Sequence, residues 1–449
     1  MSRNLLAAWA AAILLGASAQ AAEPVAAPDG ASVTVTLGGV RSDAGRVVVT
    51  LCGDRAAAFP GGCSTYAGRA QAHAGQVDVS IAGVKPGVYA LQAFHDENDD
   101  GRPEIPPEGY AFGNDAGYPP SFDAAAVTVA GDTHVAARLV YLSGPGAGPA
   151  QGSGAPPPAG VAKTDVRDQG LYAELYVPAH AGPLPAIVMI GGSEGGLDTI
   201  SRMAISFTRH GYAVMALAYW GAPGLPQTLE GVPLEYFHTA LDWLKTRPEV
   251  DPRRIGLIGW SRGAEAALLV ATREPDVRAV AAIAPSNMVW LGLSSAAVPK
   301  PAWTVRGSPL PFMIPRPPPG YRPGMPLRTL FETALADAGA HADAAIPVER
   351  VGGPILLLSG TDDAVWPSSE MAERIMARLK AKHFRRAYRH LTYAGAGHLV
   401  FVGDPAMLRN AVPANGANAF MGGSPAANAS AWSDDWPRTV AFFDSALER

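Results

Sequence analysis

Six near-continuous apolar runs constrain the second half of this chain more than any other feature. They are "PAIVMI" from Pro185, "YAVMALAY" from Tyr212, "RIGLIG" from Arg254, "VAAIAP" from Val280, "PILLLSG" from Pro354 and "YRHLTY" from Tyr388. Strands of a parallel sheet covered on both faces read this way. Between them lie stretches with helical spacing: Ile200, Met203 and Phe207; Leu234, Phe237, Leu241 and Leu244; Met371, Ile375 and Leu379. Trp436, Val440, Phe443 and Leu447 give a closing helix of the same kind. Strands alternating with helices predict a doubly wound α/β domain with a mostly parallel sheet.

The first half has a different period. "SVTVTL" from Ser32, "GRVVVTL" from Gly45, "QVDVSI" from Gln76, "GVYALQAF" from Gly87, "AAVTV" from Ala125 and "HVAARLVYL" from His134 alternate with a period near two. Gly and Pro punctuate them, which predicts a smaller all-β antiparallel sandwich. The seam is "SGPGAGPAQGSGAPPPAG", too poor in apolar residues to build a core. The domain boundaries read as a sandwich over 30–142, a linker over 143–161 and an α/β domain over 162–449. Ten prolines between 298 and 326 interrupt the alternation, so regular structure is not expected there. An insertion at about 291–345 is read as a roof over a pocket, with Trp303, Phe312 and Trp366 as candidate lining or core residues.

The opening "MSRNLLAAWAAAILLGASAQAAEP" has the charge, apolar run and small-residue cleavage sites of a secretory signal over residues 1–22. An exported, periplasmic or secreted protein without a membrane span is expected. In that setting Cys52 and Cys63 suggest a structural disulfide worth roughly 3 kcal/mol; two buried thiols are the alternative. A net charge of −5 with no basic cluster argues against nucleic acid or an anionic membrane as partner. Oligomeric state is not legible.

The chemistry-bearing feature is a G-x-S-x-G turn, and it occurs twice: Gly191-Gly192-Ser193-Glu194-Gly195 and Gly259-Trp260-Ser261-Arg262-Gly263. Order along the chain separates them. Only Ser261 sits mid-sheet with a carboxylate and an imidazole following on later strand ends, Asp363 in "LLLSGTDDAVWP" and His398 in "YAGAGHLV". Ser261, Asp363 and His398 are therefore the expected triad, with Asp362 the less favoured acid. The backbone N–H groups of Ser193 and Arg262 are the expected oxyanion hole. A small acyl ester or thioester is the expected substrate, and neither a cofactor nor a metal site is expected. The acidic turn Asp96-Glu97-Asn98-Asp99-Asp100-Gly101 begins like a calcium loop but has Pro107 where a bidentate Glu is needed, so an Asx-type turn is favoured. His95 reads as a strand end.

Through "IGGSEGGLD", "LIGWSRGAEAALL", "PSNMVW", "AWTVRGSPLPF", "IPVERVGGPILLLSGTDDAVWPSS" and "YAGAGHL" the chain resembles the C-terminal domain of acyl-CoA thioester hydrolases and bile acid-CoA:amino acid N-acyltransferases, close to dienelactone hydrolases. The resemblance covers roughly residues 180–400, and "GGSPAANASAW" resembles bacterial members. It implies an α/β-hydrolase fold and a triad on Ser261, Asp363 and His398. Conjugating members use a cysteine nucleophile, so the serine here implies hydrolysis by water. Acyl transfer to another acceptor and a non-catalytic binding role for the sandwich stay open. Through "HDENDDGRPE", "PPEGYAFGNDAGYPPSFDAAAVTV" and "KPGVYALQAFHD" the first half resembles a bacterial secreted domain of unknown function, similar in outline to transthyretin-like sandwiches.

Overall fold

The computed structural model describes residues 30–54, 64–99, 101, 108–116, 122–141, 157–179, 182–293, 298–321, 325–405 and 421–447. The expected signal peptide and nearly all of the linker lie outside these, as does Cys63. Cys52 is buried and is no free thiol.

The N-terminal unit comprises β1 (Ala31–Val40), β2 (Arg46–Cys52), β3 (Tyr66–Gln71), β4 (Gly75–Val84), β5 (Gly87–Asp96), β6 (Gly109–Phe112), β7 (Ala126–Val129), β8 (Thr133–Arg138) and β9 (Val140–Tyr141). One sheet has the order β4-β1-β8, and the other β3-β2-β5-β6-β9 with β7 also paired to β5. Every second residue of β1, β2 and β4 faces a shared core containing Val33, Val35, Leu37, Val47, Val49, Leu51, Val77 and Val79. The sandwich is not wholly antiparallel, because β8 pairs with β1 in parallel. It reaches that position by leaving the sheet of β7 after a short connection, and a strand that changes sheets arrives in whichever direction the crossover imposes. β3 and β6 are additions to the expected strands. The first alternates only between half-buried and exposed residues, with none fully buried, and the second is four residues long and buried throughout, so neither carries the apolar–polar alternation of the other strands.

The C-terminal unit begins with β10 (Val161–Val166) and β11 (Tyr172–Pro178). It continues with β12 (Leu184–Ile190), α1 (Asp198–Thr208), β13 (Ala213–Ala218), β14 (Val232–Pro233), α2 (Glu235–Lys245), β15 (Val250–Trp260), α3 (Arg262–Ala271) and β16 (Val277–Ile283). Then come β17 (Trp303–Val305), β18 (Ser308–Pro309), α4 (Arg328–Leu335), β19 (Ile355–Gly360), α5 (Ser368–Ala381), β20 (Tyr388–Tyr393) and α6 (Pro425–Ala446). The main sheet runs β10-β11-β13-β12-β15-β16-β19-β20, parallel from β13 onward. All six strands expected from the apolar runs are present. β10 and β11 extend the sheet antiparallel at one edge, where Lys163 pairs with Glu174 and hides the strand signal behind charge.

Residues along one strand divide between two cores, as a doubly wound sheet requires. Ala186, Val188 and Ile190 pack toward Phe237 and Leu241 of α2, Leu268 of α3 and Ile375 of α5. Ile187 and Met189 pack toward Ile200 and Phe207 of α1 and Trp436, Val440 and Phe443 of α6. β15 lies between β12 and β16, so its C-terminal end is held from both sides.

The proline-rich insertion is more regular than expected. β17 and β18 form a small sheet with β14, and Trp303 is wholly buried against Tyr219 and Phe237, with ring centroids 5.4 and 6.1 Å away. Prolines are tolerated because these strands are two or three residues long and exchange few ladder bonds. Trp303 anchors the insertion in the core, while the half-buried Phe312 packs against the same core.

Candidate active site

β15 ends at Trp260, and Ser261 occupies the turn into α3 with φ 57° and ψ −120°. A non-glycine residue with positive φ is strained, a state that persists only where packing over-determines it. The packing here is backbone on backbone. A Cβ on Gly259 would stand 2.1 Å from the carbonyl oxygen of Gly263, and one on Gly263 would stand 2.2 and 2.3 Å from those of Gly191 and Ile190. The two glycines of the pattern let α3 close onto the strand ends, and the Ser261 N–H donates to Ile283 O on β16 at 2.9 Å.

The structure brings the three expected residues together. His398 Nε2 lies 2.8 Å from Ser261 Oγ, and His398 Nδ1 lies 2.9 Å from Asp363 Oδ2. All three are buried. Asp363, just beyond β19, accepts from the N–H groups of Val365 and Trp366 at 3.0 and 3.2 Å and from the Ser368 hydroxyl at 2.6 Å. Its orientation is therefore fixed by its own loop. Asp362 has no such role; its Oδ1 accepts from Thr361 Oγ1 at the surface. His398 is held by its N–H donating to Met421 O at 2.7 Å and its carbonyl accepting from the Trp260 indole at 3.2 Å. The preceding Gly397 N–H donates to the buried Asn428 of α6 at 2.8 Å.

Ser193 and Arg262 line the same pocket as Ser261 and His398. Arg262 opens α3, and the first N–H groups of a helix have no acceptor within it. The Ser193 loop is pinned by Tyr219, whose hydroxyl donates to Gly191 O and Gly192 O at 2.9 and 3.2 Å, and by the Trp220 indole, 3.3 Å from Gly192 O. Glu194 folds back so that Oε1 accepts the Gly192 N–H at 2.9 Å. Burial pushes the Glu194 carboxyl up to about 7, against the lowering effects of backbone N–H groups and of His398.

Several site residues had no legible signal. Glu265 is wholly buried on α3; it pairs with the Arg262 guanidinium at 2.7 Å and accepts from the Trp290 N–H and the Trp303 indole at 3.1 and 2.7 Å. Arg262 in turn donates to the carbonyls of Trp290 and Leu291 at 3.3 and 2.9 Å. This network fastens the insertion to the helix behind Ser261. Its one sequence trace is a lone charge pair among the small residues of "SRGAEAAL". Of the candidate aromatics, Trp366 lines the pocket, whereas Trp303 and Phe312 do not; Trp290 and Phe331 line it unanticipated.

The acidic turn is engaged by cations of the protein: Glu97 pairs with Arg41, and Asp99 with Arg46 at 3.2 Å. Asp96 Oδ2 accepts the Gly101 N–H at 2.9 Å, a bond that spans five residues rather than the two of an Asx turn. Asp100 and Glu104 lie outside the described residues. His95 is buried, its ring nitrogens 2.6 Å from Tyr141 Oη and 2.8 Å from Ala44 O, so both are satisfied.

Gly263→Ala is expected to lower stability by about 1–3 kcal/mol, since the added methyl must displace backbone. Gly339→Ala meets nothing within 4 Å and is expected to change it by less than about 0.5 kcal/mol. Urea unfolding followed by tryptophan fluorescence compares them. A second expectation concerns pH. The native Glu194 carboxyl keeps its proton up to about 7, whereas an unfolded glutamate loses it near the model-peptide value of about 4.3. Between those values the unfolded state binds fewer protons, so this group's contribution is present in acid and is lost as pH rises through about 7. Thermal unfolding of Glu194→Gln should therefore gain on the wild type between about pH 5 and pH 8; equal pH slopes in the two proteins would refute this.

Residues 232–449 match the family described as "BAAT / Acyl-CoA thioester hydrolase C terminal", and residues 35–136 match "Uncharacterized protein conserved in bacteria". The chain is 31% identical to mitochondrial acyl-coenzyme A thioesterase 2 of Mus musculus over 298 residues, covering 64% of this chain and 61% of that one. It is 32% identical to acyl-coenzyme A thioesterase 1 of Homo sapiens over 299 residues, covering 65% and 66%. Acyl-coenzyme A amino acid N-acyltransferase 1 of Mus musculus is 30% identical, with 63% and 65% covered. The chain thus spans somewhat under two thirds of the length of these curated relatives. Among solved structures, a putative dienelactone hydrolase from Klebsiella pneumoniae aligns at 17% identity and a TM-score of 0.41, covering 63% of this chain and 97% of that one. The C-terminal half of this chain, an α/β hydrolase in fold, belongs to the BAAT and acyl-CoA thioester hydrolase C-terminal family.

Proposed function

We propose that the protein is an exported serine hydrolase that cleaves an acyl ester or thioester through an acyl-enzyme. The supporting observation is the continuous hydrogen-bonded line from Ser261 Oγ through His398 to Asp363, at 2.8 and 2.9 Å, on a serine with strained backbone. His398 Nε2 takes the Oγ proton as Oγ attacks the acyl carbon. Asp363 holds the tautomer in which Nδ1 carries the proton and steadies the imidazolium. The N–H groups of Ser193 and Arg262 receive the developing oxyanion; one such donor is typically worth about 2.7–4 kcal/mol. The C–O or C–S bond then breaks, and the leaving group departs with the proton from His398. Water attacks the acyl-serine, gives its proton to His398 and releases the acid, and the proton returns to Oγ.

The names of the relatives, thioesterases of acyl-coenzyme A, support a thioester among the candidates. The reading of an exported protein rests on the first 22 residues and on the suitability of Cys52 and Cys63 for an oxidising compartment. It favours a substrate met outside the cytosol. A serine nucleophile supports water as the acceptor.

Treatment of the purified protein with a fluorophosphonate, followed by peptide mapping, is expected to label Ser261. Label should vanish in Ser261→Ala and persist in Ser193→Ala, and kcat for any ester substrate should fall about 10⁶-fold in the former. Label on Ser193 would overturn the assignment. For export, the intact mass of protein recovered from the periplasm or medium should place the new N-terminus after Ala19 or Ala21; a chain retained in the cytosol at full length would remove that part of the reading.

A further inference from the structure

The pocket above Ser261 has a composition and size that the proposed activity does not itself require. It encloses about 170 Å³. Beyond Ser261, His398, Arg262 and the Ser193 loop its walls are apolar, with Trp290, Phe331 and Trp366 forming one continuous aromatic face. Phe331 stands edge-on to both indoles, 4.8 Å from Trp290 and 5.7 Å from Trp366, and Trp366 in turn packs 6.0 Å from His398. Hydrogen bonds fix the two indoles: Trp290 Nε1 donates to Ser286 Oγ at 2.8 Å, and Trp366 Nε1 to Ala284 O at 3.1 Å. A wall held this way does not easily yield to a longer chain. For scale, an apolar cavity of about 150 Å³ holds one benzene ring.

Charge narrows the ligand further. The one guanidinium at the wall, that of Arg262, already pairs with Glu265 and two carbonyls. The other ionisable group lining the pocket outside the triad is the Glu194 carboxyl, an acid. Among the described residues the lining therefore presents no unpaired cation to an acyl group that carries its own carboxylate.

We propose that this pocket is the acyl site and that it takes a compact, uncharged apolar acyl group, about one phenyl ring or a chain of about four to six carbons. The proposal rests on the serine-hydrolase reading above. It places the size limit in the face of Trp290, Phe331 and Trp366, with Phe331 as the specificity-determining residue because it alone of the three comes from α4 and is not tied by a hydrogen bond of its own ring.

The test is kcat/KM for 4-nitrophenyl esters from acetyl to dodecanoyl, with benzoyl, phenylacetyl and succinyl esters, on the full chain. The expected profile rises to butanoyl through hexanoyl and to the aryl esters, then falls at least about tenfold by decanoyl. The succinyl ester should be turned over about tenfold or more slowly than the pentanoyl ester, which is similar in length. Phe331→Ala should move the optimum to longer chains, and Phe331→Leu, which keeps an apolar side chain on α4, should move it in the same direction by less. A profile that is flat or climbs to dodecanoyl, a succinyl ester as good as pentanoyl, or an unmoved optimum in both folded variants would each overturn the proposal while leaving the hydrolase reading intact. Fluorophosphonate labelling of Ser261 without turnover of any ester would do the same. Failure of both labelling and turnover would remove the hydrolase reading and this inference together.

Discussion

The site depends on the contact between the backbone of α3 and the ends of β12 and β15. Ser261 is held at φ 57°, a conformation costing on the order of 1–3 kcal/mol for a residue with a side chain. What holds it there is the sheet itself. β15 is paired on both sides, the Ser261 N–H is tied to β16, and every residue of α3 is buried. The strained turn presents Oγ to His398 Nε2, 2.8 Å away, so this pairing is built into the fold itself. Pre-organisation of this kind is what allows fixed dipoles to act without reorganising during reaction.

A second constraint follows from placing a charged pair in that buried helix. Glu265 is wholly buried, and burial raises its pKa against the opposing Arg262 guanidinium, the Trp290 N–H and the Trp303 indole. Breaking a buried pair by removing one partner is costly because the other charge is left uncompensated. Each of the four groups therefore needs the others in place. The helix that follows Ser261 and the segment carrying Trp290 and Trp303 become one cooperative unit beside the site.

Much of this was legible and the remainder was hidden for physical reasons. Five of the six parallel strands announce themselves because strands buried on both faces must be apolar; β20, half exposed at the sheet edge, is marked instead by Tyr388, Leu391 and Tyr393. The convergence of Ser261, Asp363 and His398 was legible because the chain order of serine, acid and histidine on successive strand ends reflects where a doubly wound sheet can gather side chains. β10 was silent because an edge strand is half exposed, and in β11, which is paired on both sides, the buried Glu174 that meets Lys163 breaks the apolar run. The pocket wall was silent for another reason. Trp303 and Trp366 have the same residue type, and only tertiary contacts send one into the core behind α3 and the other to the imidazole. The parallel pairing of β1 with β8 has no local trace at all, since it is a property of the crossover.

The two G-x-S-x-G turns show how far a pattern can carry an argument. Both follow a strand, precede a helix and face the same pocket. In the second, the positive φ falls on Ser261 itself and the imidazole is its partner. In the first, positive φ falls on Gly195 and Gly196, Ser193 follows ordinary backbone, and the carboxylate of Glu194 takes the Gly192 N–H. The glycines of one turn bend the chain at positive φ; those of the other let two backbones close around a strained serine. The same five-residue spelling thus accompanies ordinary backbone at Ser193 and a strained, imidazole-paired serine at Ser261, and the difference lies in what each serine meets. β15 has partners on both sides and its turn opens onto the loops after β19 and β20, where acid and imidazole wait. β12 is equally flanked, but both ring nitrogens of the His398 imidazole are engaged, by Ser261 and Asp363, and neither bonds to Ser193.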